Sequence, residues 1–289
     1  MKFAIVANPQ KYSVEEPIER VLNWCARNQT SVAVASALRD SLSGIFSRFD
    51  SYVTDTERKA VQTSDYVIAV GGDGTMLHTA DLTKENPVPV LGINTGKLGF
   101  MANIQPENIE DALAHLQKKQ YSIDERAMLE AHISDGAVVY ALNEFLFSKK
   151  DTSSMIALHA EYDGVFINNY WADGLLISTP TGSTAYNLSA GGPIVLPNTP
   201  VMLLTPINPH TLTTRPLVLP SNRELRIRCE HSGTNTLFSY DGKVHHENPG
   251  LDFIIKQSNY SVHLVQLPEQ NYFETLRNKL MWGLDRRKE

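Results

Sequence analysis

An aspartate stands among three glycines at positions 71–74, in the order Gly71-Gly72-Asp73-Gly74, after an apolar run and before a segment that opens with Thr75. Glycines can adopt positive φ angles and let a ligand approach the backbone without a Cβ in the way. A helix that begins here would offer unpaired N–H groups and a partial positive charge to a phosphate. A carboxylate opposes phosphate binding unless it has a task of its own. Asp73 is therefore a candidate for chemistry beside a phosphate, with a tight structural turn as the alternative.

Two common nucleotide-binding motifs do not fit this chain. The dinucleotide fingerprint G-x-G-x-x-G, started at Gly72, needs a small residue at position 77, where Leu77 stands. A Walker loop started at Gly92 has three residues instead of four before the next glycine, and Leu98 stands where a hydroxyl is required. The pattern therefore supports neither an ordinary Rossmann cofactor site nor a P-loop nucleoside triphosphatase.

A second polar segment runs from Asp173 to Val195 and reads DGLLISTPTGSTAYNLSAGGPIV. Between Ser178 and Ser189 it carries seven hydroxyl side chains in twelve residues. Each buried hydroxyl needs a hydrogen-bond partner, so such a run suits a polar ligand with many donors and acceptors, such as a dinucleotide. The alternative is a capped loop with its helix N-cap near Ser183. Asp173, which opens the segment, would hold a ribose hydroxyl, a carboxamide or a metal, or would simply form a turn.

The elements that must position these residues change in character along the chain. In the first third, short apolar strands alternate with amphipathic helices, which predicts a parallel sheet with helices on its faces. The predicted strands are 3–7, 32–35, 66–70 and 88–93, and the predicted helices are 14–27, 56–63 and 106–119.

After about Ile123, strand-like runs dominate and predict a β-rich domain. Asp163-Gly164 and Asp241-Gly242 lie between such runs, and Asp-Gly is a strong hairpin signal because both turn residues need positive φ. A packing helix is predicted from Tyr272 to Leu284. The predicted strands are 138–147, 156–162, 175–178, 201–204, 225–229, 253–256 and 262–267.

Bulk properties narrow the class of protein. The formal net charge of −6 gives no electrostatic footprint for nucleic acid. The opening MKFAIVANPQ and the later apolar runs are too short for a signal-peptide core or a spanning helix, so we expect no membrane association. Cys25 and Cys229 have no metal-type spacing and suit a reducing, cytoplasmic location. We expect the basic cluster at 286–288 to be a solvated tail.

Six motifs in a fixed order carry a resemblance that covers essentially the whole chain. They are GGDGTML, NTGKLGF (94–100), NEFLFSK (143–149), ADGLLISTPTGSTAYNLSAGGPIV (172–195), INPHTLTTRPLV (207–218) and YDGK (240–243). In this order and combination the chain resembles the NAD kinases, members of the NAD kinase and diacylglycerol kinase-like superfamily. The GGDG turn alone is weak evidence because lipid kinases share it, whereas the STPTGSTAYNLSAGGP stretch is highly specific.

The resemblance implies an activity and the residues that carry it. The activity would be phosphorylation of the 2′-hydroxyl of the adenosine ribose of NAD by ATP and a divalent metal, expected to be Mg²⁺, with Asp73 as the proton acceptor. His78 falls where relatives often carry Arg or Lys, Trp171 where a basic residue is common, and Lys243 where Gln or Asn is common. No protein metal ligand is predicted. The implied NAD contacts are Asp73, Gly74, His78, Asn143, Glu144, Asp173, Thr184, Ala185, Tyr186, Asn187, Leu188, Ser189 and Asn208.

The resemblance also implies an architecture: an α/β N-terminal domain with a parallel sheet (1–124), a β-rich NAD-binding domain (125–268), and a C-terminal helix (269–289) that packs back on the first domain. The substrate is expected in the crevice between the domains. NAD and ATP would be the small-molecule partners, and relatives form homodimers or homotetramers. Two other functions remain open at this point, a kinase of a lipid or sugar phosphate and a non-catalytic NAD(P)-binding sensor.

Overall fold

The computed structural model describes residues 1–96, 99–150, 155–229, 236–246 and 250–281. The chain forms two compact units, unit 1 from Met1–Glu125 with Val262–Glu289, and unit 2 from Arg126–Ser261. Unit 1 contains a parallel sheet with helices, and unit 2 is built almost entirely of strands. The predicted fold class is therefore confirmed.

The described residues form the following elements. The strands are β1 Lys2–Ala7, β2 Ser31–Ala35, β3 Tyr52–Thr54, β4 Tyr66–Gly71, β5 Val90–Asn94, β6 Ser122–Ile133, β7 Val138–Ala141, β8 Glu144–Lys149, β9 Ile156–Tyr162, β10 Val165–Ala172, β11 Gly174–Ser178, β12 Val201–Ile207, β13 Leu217–Pro220, β14 Leu225–Cys229, β15 Thr236–Tyr240, β16 Lys243–His246 and β17 Asp252–Gln266. The helices are α1 Glu15–Arg27, α2 Ser36–Ser41, α3 Ser43–Phe46, α4 Glu57–Gln62, α5 Asp73–Thr83, α6 Ile109–Gln117, α7 Tyr186–Ser189 and α8 Tyr272–Leu280. Short 3-10 helices lie at Tyr12–Val14, Pro106–Asn108 and Thr181–Thr184.

The parallel sheet of unit 1 has the strand order β5-β4-β1-β2-β3. Ile5 of β1 lies opposite Ile68 of β4 and Val34 of β2. The chain thus builds outwards from β1 on one side, and then returns to add β4 and β5 on the other. Strand order reverses between β1 and β4, and the crevice at the carboxyl ends of two such strands is a usual ligand site in open α/β sheets.

Apolar burial holds the helices of unit 1 in place. In α1, Ile18, Val21, Leu22 and Cys25 recur at helical spacing and are at most 2% exposed. The helix packs against α6, and the guanidinium of Arg20 in α1 forms two hydrogen bonds to the carboxylate of Glu110 at 2.6 and 3.1 Å. At the other end of the sequence, α8 is capped by Asn271, whose side chain accepts from the N–H of Glu274, and it buries Leu276.

Two antiparallel sheets share the core of unit 2. One has the order β13-β12-β11-β8-β15-β16, and the other contains β10-β9-β14 with the first half of β17, where β6 and β7 also pair. Alternate residues of both sheets enter one apolar cluster. Its centre is aromatic, with the ring of Phe238 4.5 Å from that of Phe253 and 5.0 Å from that of Phe147. Both Asp-Gly hairpins are confirmed, with φ of +52° and +75° at 163–164 and +46° and +77° at 241–242.

Five predicted elements need correction. The run 138–147 is two strands, β7 and β8, which break at Leu142 and Asn143 because their backbone N–H groups bind a side chain. The runs 253–256 and 262–267 belong to one strand, β17. Helix α5 starts at Asp73 instead of Thr75. The final helix ends at Leu280, because Met281 takes the left-handed conformation with φ of +53°. Leu284 and the basic cluster at 286–288 lie outside the described residues.

Candidate functional site

The glycines of the 71–74 turn differ in the space around them. Gly71 packs against the side chain of Thr75, which leaves no room for a Cβ. Gly72 and Gly74 have ordinary backbone angles, so the turn does not use the positive φ that glycine allows at these two positions. A Cβ on either would meet nothing within 4 Å. The backbone at Gly72 and Gly74 therefore faces open space at the carboxyl end of β4, where a ligand can approach it.

Asp73 is the first residue of α5, and its carboxylate is held by the backbone that follows β5. Oδ2 accepts the N–H of Phe100 at 3.1 Å, and Oδ1 accepts those of Met101 and Ala102 at 3.1 and 3.4 Å. Gly99 lies so close to this carboxylate that a Cβ there would collide with it. The side chain is still 33% exposed, so a fixed carboxylate is presented to solvent at the start of a helix.

A basic side chain approaches this carboxylate from the last helix. Nζ of Lys279 in α8 lies 3.9 Å from Oδ2 of Asp73 and 5.2 Å from the centre of the Phe100 ring. Sequence reasoning missed Lys279. Its position in an amphipathic helix predicts only a solvated charge, and no local motif links residue 279 to residue 73.

A cavity of about 430 Å³ opens where the strand order of unit 1 reverses. His78 lies one turn after Gly74 on α5, so both face the same side. Nε2 of His78 is 2.6 Å from a carboxylate oxygen of Glu57, the first residue of α4. The cavity therefore combines backbone N–H groups at a helix start with basic and acidic side chains. Its lining residues are Ala7, Asn8, Pro9, Lys11, Glu57, Gly74, Thr75 and His78.

In unit 2, the backbone at the start of β8 is bound by a distant carboxylate. Asp241 accepts the N–H groups of Leu142 and Asn143 at 2.8 Å each and that of Glu144 at 3.2 Å. The carbonyl of Asn143 accepts the N–H of Thr179 at 2.9 Å. The structure thus places the predicted residues Asn143 and Glu144 beside the hydroxyl-rich segment.

Glu144 itself has an unusual environment. Its Oε2 atom is buried and has no hydrogen-bond partner in the described part of the chain. Burial and then the nearby charge of Asp241 raise the pKa of Glu144 to about 7. Asp241 is more deeply buried, and desolvation raises its pKa although three backbone N–H groups act in the opposite direction.

Asp173 is the third predicted carboxylate, and it belongs to a polar cluster with Lys149 and Asn208. Nζ of Lys149 lies 2.6 Å from Oδ1, and Nδ2 of Asn208 donates to Oδ2 at 3.2 Å. The ammonium of Lys149, followed by the amide of Asn208, lowers the pKa of Asp173. Asn208 has a φ of +45°, so this predicted contact residue lies in a left-handed turn beside Asp173. Trp171, two residues before it, is 58% exposed.

The hydroxyl-rich segment uses most of its hydroxyls as donors within the fold, which leaves fewer of them to donate to a ligand. The hydroxyl of Thr179 donates to the carbonyl of Leu142 at 2.6 Å, and that of Ser183 donates to the carbonyl of Val195 at 3.2 Å. Thr184 donates to the carbonyl of Thr181. The alternative prediction placed a helix N-cap near Ser183. That N-cap is wrong, since α7 follows Ala185 without a side-chain cap.

The predicted contacts at 184–189 differ in accessibility. Asn187 is fully buried, donates to the carbonyls of Ser183 and Pro193, and accepts the hydroxyl of Thr205 at 2.6 Å. Its side chain is therefore occupied within the fold. Tyr186 and Ser189 are exposed, and Thr184, Ala185 and Leu188 are partly exposed. These five can meet a ligand without rearrangement, whereas Asn187 supports the turn that presents them.

Other structural observations concern metals, thiols and membranes. No three His, Cys, Asp or Glu side chains converge as a metal site within the described ranges. Cys25 and Cys229 are buried and unpaired. Within the part of the chain that the structure describes, no helix has the length and apolar character needed to cross a membrane.

Comparisons with known proteins agree over the full length. The family described as ATP-NAD kinase N-terminal domain matches residues 3–121, and that described as ATP-NAD kinase C-terminal domain matches residues 142–267. The chain is 37% identical to the NAD kinase of Cytophaga hutchinsonii over 292 residues, which cover 99% of this chain and 100% of that protein. It is 36% identical to the NAD kinase of Flavobacterium psychrophilum over 293 residues, with the same coverage.

Solved structures give the same result. The crystal structure of yeast NADH kinase complexed with NADH superposes with a TM-score of 0.90 at 26% identity, and the match covers 99% of this chain and 89% of that one. An NAD kinase from Archaeoglobus fulgidus in complex with ATP superposes with a TM-score of 0.77 at 25% identity, covering 96% and 99%.

Proposed function

Because this chain belongs to the NAD kinase family, we propose that it transfers the terminal phosphoryl group of ATP to the 2′-hydroxyl of the adenosine ribose of NAD. The products are NADP and ADP. The family is matched over both units. The observation that carries the mechanism is the carboxylate of Asp73, fixed by backbone N–H groups beside the open approach to Gly72 and Gly74.

Asp73 is the proposed proton acceptor. In the reacting complex, the ribose 2′ oxygen bonds to the terminal phosphorus of ATP, while the bond from that phosphorus to the β,γ-bridging oxygen breaks. The hydroxyl proton passes to the carboxylate of Asp73, and ADP leaves with the electron pair of the broken bond. Because three backbone N–H groups hold this carboxylate, little reorganisation is needed when the hydroxyl arrives.

We further propose that the cavity of unit 1 receives phosphate groups. Lys11 and His78 line it, and the N-terminus of α5 opens into it at Gly74 and Thr75. Basic side chains and the positive end of a helix dipole both favour anions. His78 carries a positive charge only when its imidazole is protonated, and its Nε2 atom is paired with the carboxylate of Glu57.

A divalent cation, expected to be Mg²⁺, is proposed to enter as part of the ATP complex. Mg²⁺ usually keeps several waters and binds through substrate phosphates together with one or two carboxylates. When bound, it offsets negative charge on the phosphates.

In unit 2 the proposed NAD contacts are the exposed or polar groups around the start of β8 and β11. They are Asn143, Glu144, Asp173, Asn208, and the 184–189 segment, in which Asn187 acts through its position in the turn. By the same family relationship we propose a homodimer or homotetramer, which sedimentation equilibrium would determine. The two unpaired cysteines support a reducing, cytoplasmic location.

The decisive test is NADP formation from NAD, ATP and Mg²⁺ by the wild type, Asp73→Asn and Asp65→Asn. Asp65 immediately precedes β4, Asp73 follows its end, and Asp65 is 61% exposed, so its substitution is a matched control. We expect Asp73→Asn to lose roughly 10²- to 10⁴-fold in kcat, the range of a positioned acid–base group, while NAD still binds. Full turnover by Asp73→Asn would overturn its role. NAD binding without NADP from the wild type would indicate a binding protein instead of a kinase.

A further inference from the structure

Asp241 lies in the turn between β15 and β16, about a hundred residues from the backbone it binds. The Asp-Gly pair gives the turn its shape, since both residues have positive φ. A turn needs no buried carboxylate, and the other Asp-Gly hairpin shows this. There, Asp163 is 53% exposed and pairs with Arg223 on the surface at 2.8 Å. Asp241 instead turns inward and accepts three backbone N–H groups.

The carbonyl groups of these three residues are hydrogen-bonded as well. The hydroxyl of Thr179 donates to the carbonyl of Leu142, and the N–H of Thr179 donates to that of Asn143. The N–H of Asp241 donates to the carbonyl of Glu144 at 3.1 Å. The backbone at 142–144 is thus fixed at the point where β7 ends and β8 begins.

This fixed backbone carries a carboxyl group that the fold does not satisfy. Oε2 of Glu144 is buried without a hydrogen-bond partner among the described residues. A buried acceptor left unpaired costs free energy, and such groups in native proteins usually have a ligand or a water as partner. A NAD molecule offers ribose hydroxyls and a carboxamide N–H as donors. The fixed segment and the unsatisfied oxygen therefore indicate that Glu144 is placed to accept a hydrogen bond from a ligand.

We propose that Asp241 is a positioning residue for NAD: its carboxylate fixes the backbone at 142–144 and thereby aims the carboxyl group of Glu144 at a hydroxyl or amide donor of the substrate. The inference rests on the proposed function, since it assumes that Glu144 contacts NAD. Asp241 itself touches no substrate.

Because Asp241 is charged, its positioning role predicts a change in the pH dependence of the KM for NAD. A residue that only stabilised the turn would not change that pH dependence. Asp241 is the charged group that acts on Glu144, and its negative charge raises the pKa of Glu144. Lys243 in turn acts on Asp241 and lowers its pKa. Ionised Glu144 accepts hydrogen bonds, so the KM for NAD is expected to rise as the pH falls through the pKa of Glu144. Removal of the charge at 241 lowers that pKa and shifts the rise to lower pH.

The experiment measures kcat and the KM for NAD between pH 5.5 and 8.5 for the wild type and three variants. Asp241→Asn keeps the shape of the side chain but loses the charge and turns an N–H₂ towards one backbone N–H. Glu144→Gln removes the titrating group. Asp163→Asn is the control, because it makes the same chemical change in the other Asp-Gly hairpin.

We expect Asp241→Asn to raise the KM for NAD about tenfold at pH 7.5, the effect of weakening a hydrogen bond to a charged group, with kcat changed less than about threefold. Its pH midpoint moves down, and Glu144→Gln loses that titration. Asp163→Asn behaves like the wild type.

Two results would overturn the proposal. One is an Asp241→Asn enzyme that is less stable but has an unchanged pH midpoint and KM, which would reduce Asp241 to a stability role. The other is a Glu144→Gln enzyme with the wild-type KM, which would remove the contact while NAD kinase activity persists. If Asp241→Asn does not fold, Asp241→Glu replaces it. That variant keeps the charge but displaces the carboxylate, so the KM rises while the midpoint stays near the wild-type value, and an unchanged KM would refute the role.

Discussion

The ammonium group of Lys279 lies 3.9 Å from the Oδ2 atom of Asp73, although 205 positions separate them in the sequence, and both side chains are about one-third exposed. Ion pairs this accessible contribute at most about 1 kcal/mol to stability. Fold stability alone is therefore a weak reason for the pairing. A cation beside the proposed base is well placed to offset charge on a transferring phosphoryl group.

Lys279→Met is accordingly expected to lower kcat by tenfold or more, while the free energy of unfolding falls by no more than about 1 kcal/mol. The matched control is Arg277→Met, a basic residue of the same helix turn that is exposed. Steady-state kinetics and urea denaturation of both variants decide the matter. Equal, small changes in kcat for the two variants would show that Lys279 is only a surface charge.

Substitution of Gly74 by alanine should separate stability from activity. Gly74 lies inside the first turn of α5 with an ordinary φ, and its Cβ would meet nothing within 4 Å. Alanine is favoured over glycine in helices by up to about 1 kcal/mol, so the melting temperature should stay the same or rise. NADP formation should fall, because the methyl group projects into the space that the substrate would use.

Gly71→Ala provides the contrast, since its Cβ would collide with Thr75 and the protein should lose stability. Thermal melting and initial rates on both proteins test this pair. A Gly74→Ala enzyme with wild-type rates would show that the space beside Gly74 stays empty during turnover.

The ion pair between Lys149 and Asp173 predicts a pH effect on stability. Because Lys149 lowers the pKa of Asp173 in the folded protein, the stabilisation is complete above the ordinary pKa of aspartate. It is lost as the pH falls through the lowered folded value. With both side chains more than a quarter exposed, we expect up to about 1 kcal/mol at pH 7.

Lys149→Met should remove this contribution at pH 7 and change little at pH 2.5. Urea denaturation of wild type and variant at the two pH values measures the difference. If the two proteins differ by the same amount at both values, Lys149 acts through packing instead of through the charge of Asp173. We also expect a raised KM for NAD in Lys149→Met, since Asp173 then loses its main orienting partner.

The two thiols should be inert in the folded protein. Burial raises the pKa of Cys25 to about 12, and burial with the charge of Asp252 does the same for Cys229. Only the thiolate attacks a disulfide reagent. We expect no reaction with an aromatic disulfide in native buffer at pH 8 and two equivalents in denaturant. Fast labelling of one thiol in native buffer would contradict the buried position of that cysteine.

Sequence patterns predicted the elements with strong periodicity and failed where side chains act over long distances. Strand β4, and strand β1 after Lys2, contain no charged residue and are buried, so their type is evident from local composition. The break between β7 and β8 is not evident from local composition. It arises because the backbone N–H groups of Leu142 and Asn143 bind the carboxylate of Asp241, which is remote in sequence. In β17, polar residues such as Ser258 and Asn259 hide the continuity of a fifteen-residue strand.

The candidate site shows the same division. Asp73 is recognisable because a carboxylate among glycines is unusual, whereas Lys279 and Asp241 have ordinary local explanations as a helix charge and a turn residue. The hydroxyls at 178–184 could not be assigned from the sequence, because composition does not distinguish a hydroxyl that faces a ligand from one that donates to a nearby carbonyl.

The two Asp-Gly turns should also differ in how fast they form isoaspartate. An aspartate followed by glycine can cyclise when the backbone nitrogen of the glycine attacks the carbon of the protonated side-chain carboxyl group and water leaves, and hydrolysis of the succinimide ring then gives isoaspartate or aspartate. Asp241 is buried, and three backbone N–H groups hold its carboxylate towards Leu142. Asp163 has the same backbone shape, but its carboxylate is exposed and pairs with a surface arginine, Arg223. Chemical damage during storage should therefore accumulate at the β9–β10 hairpin first and spare the turn that supports Glu144.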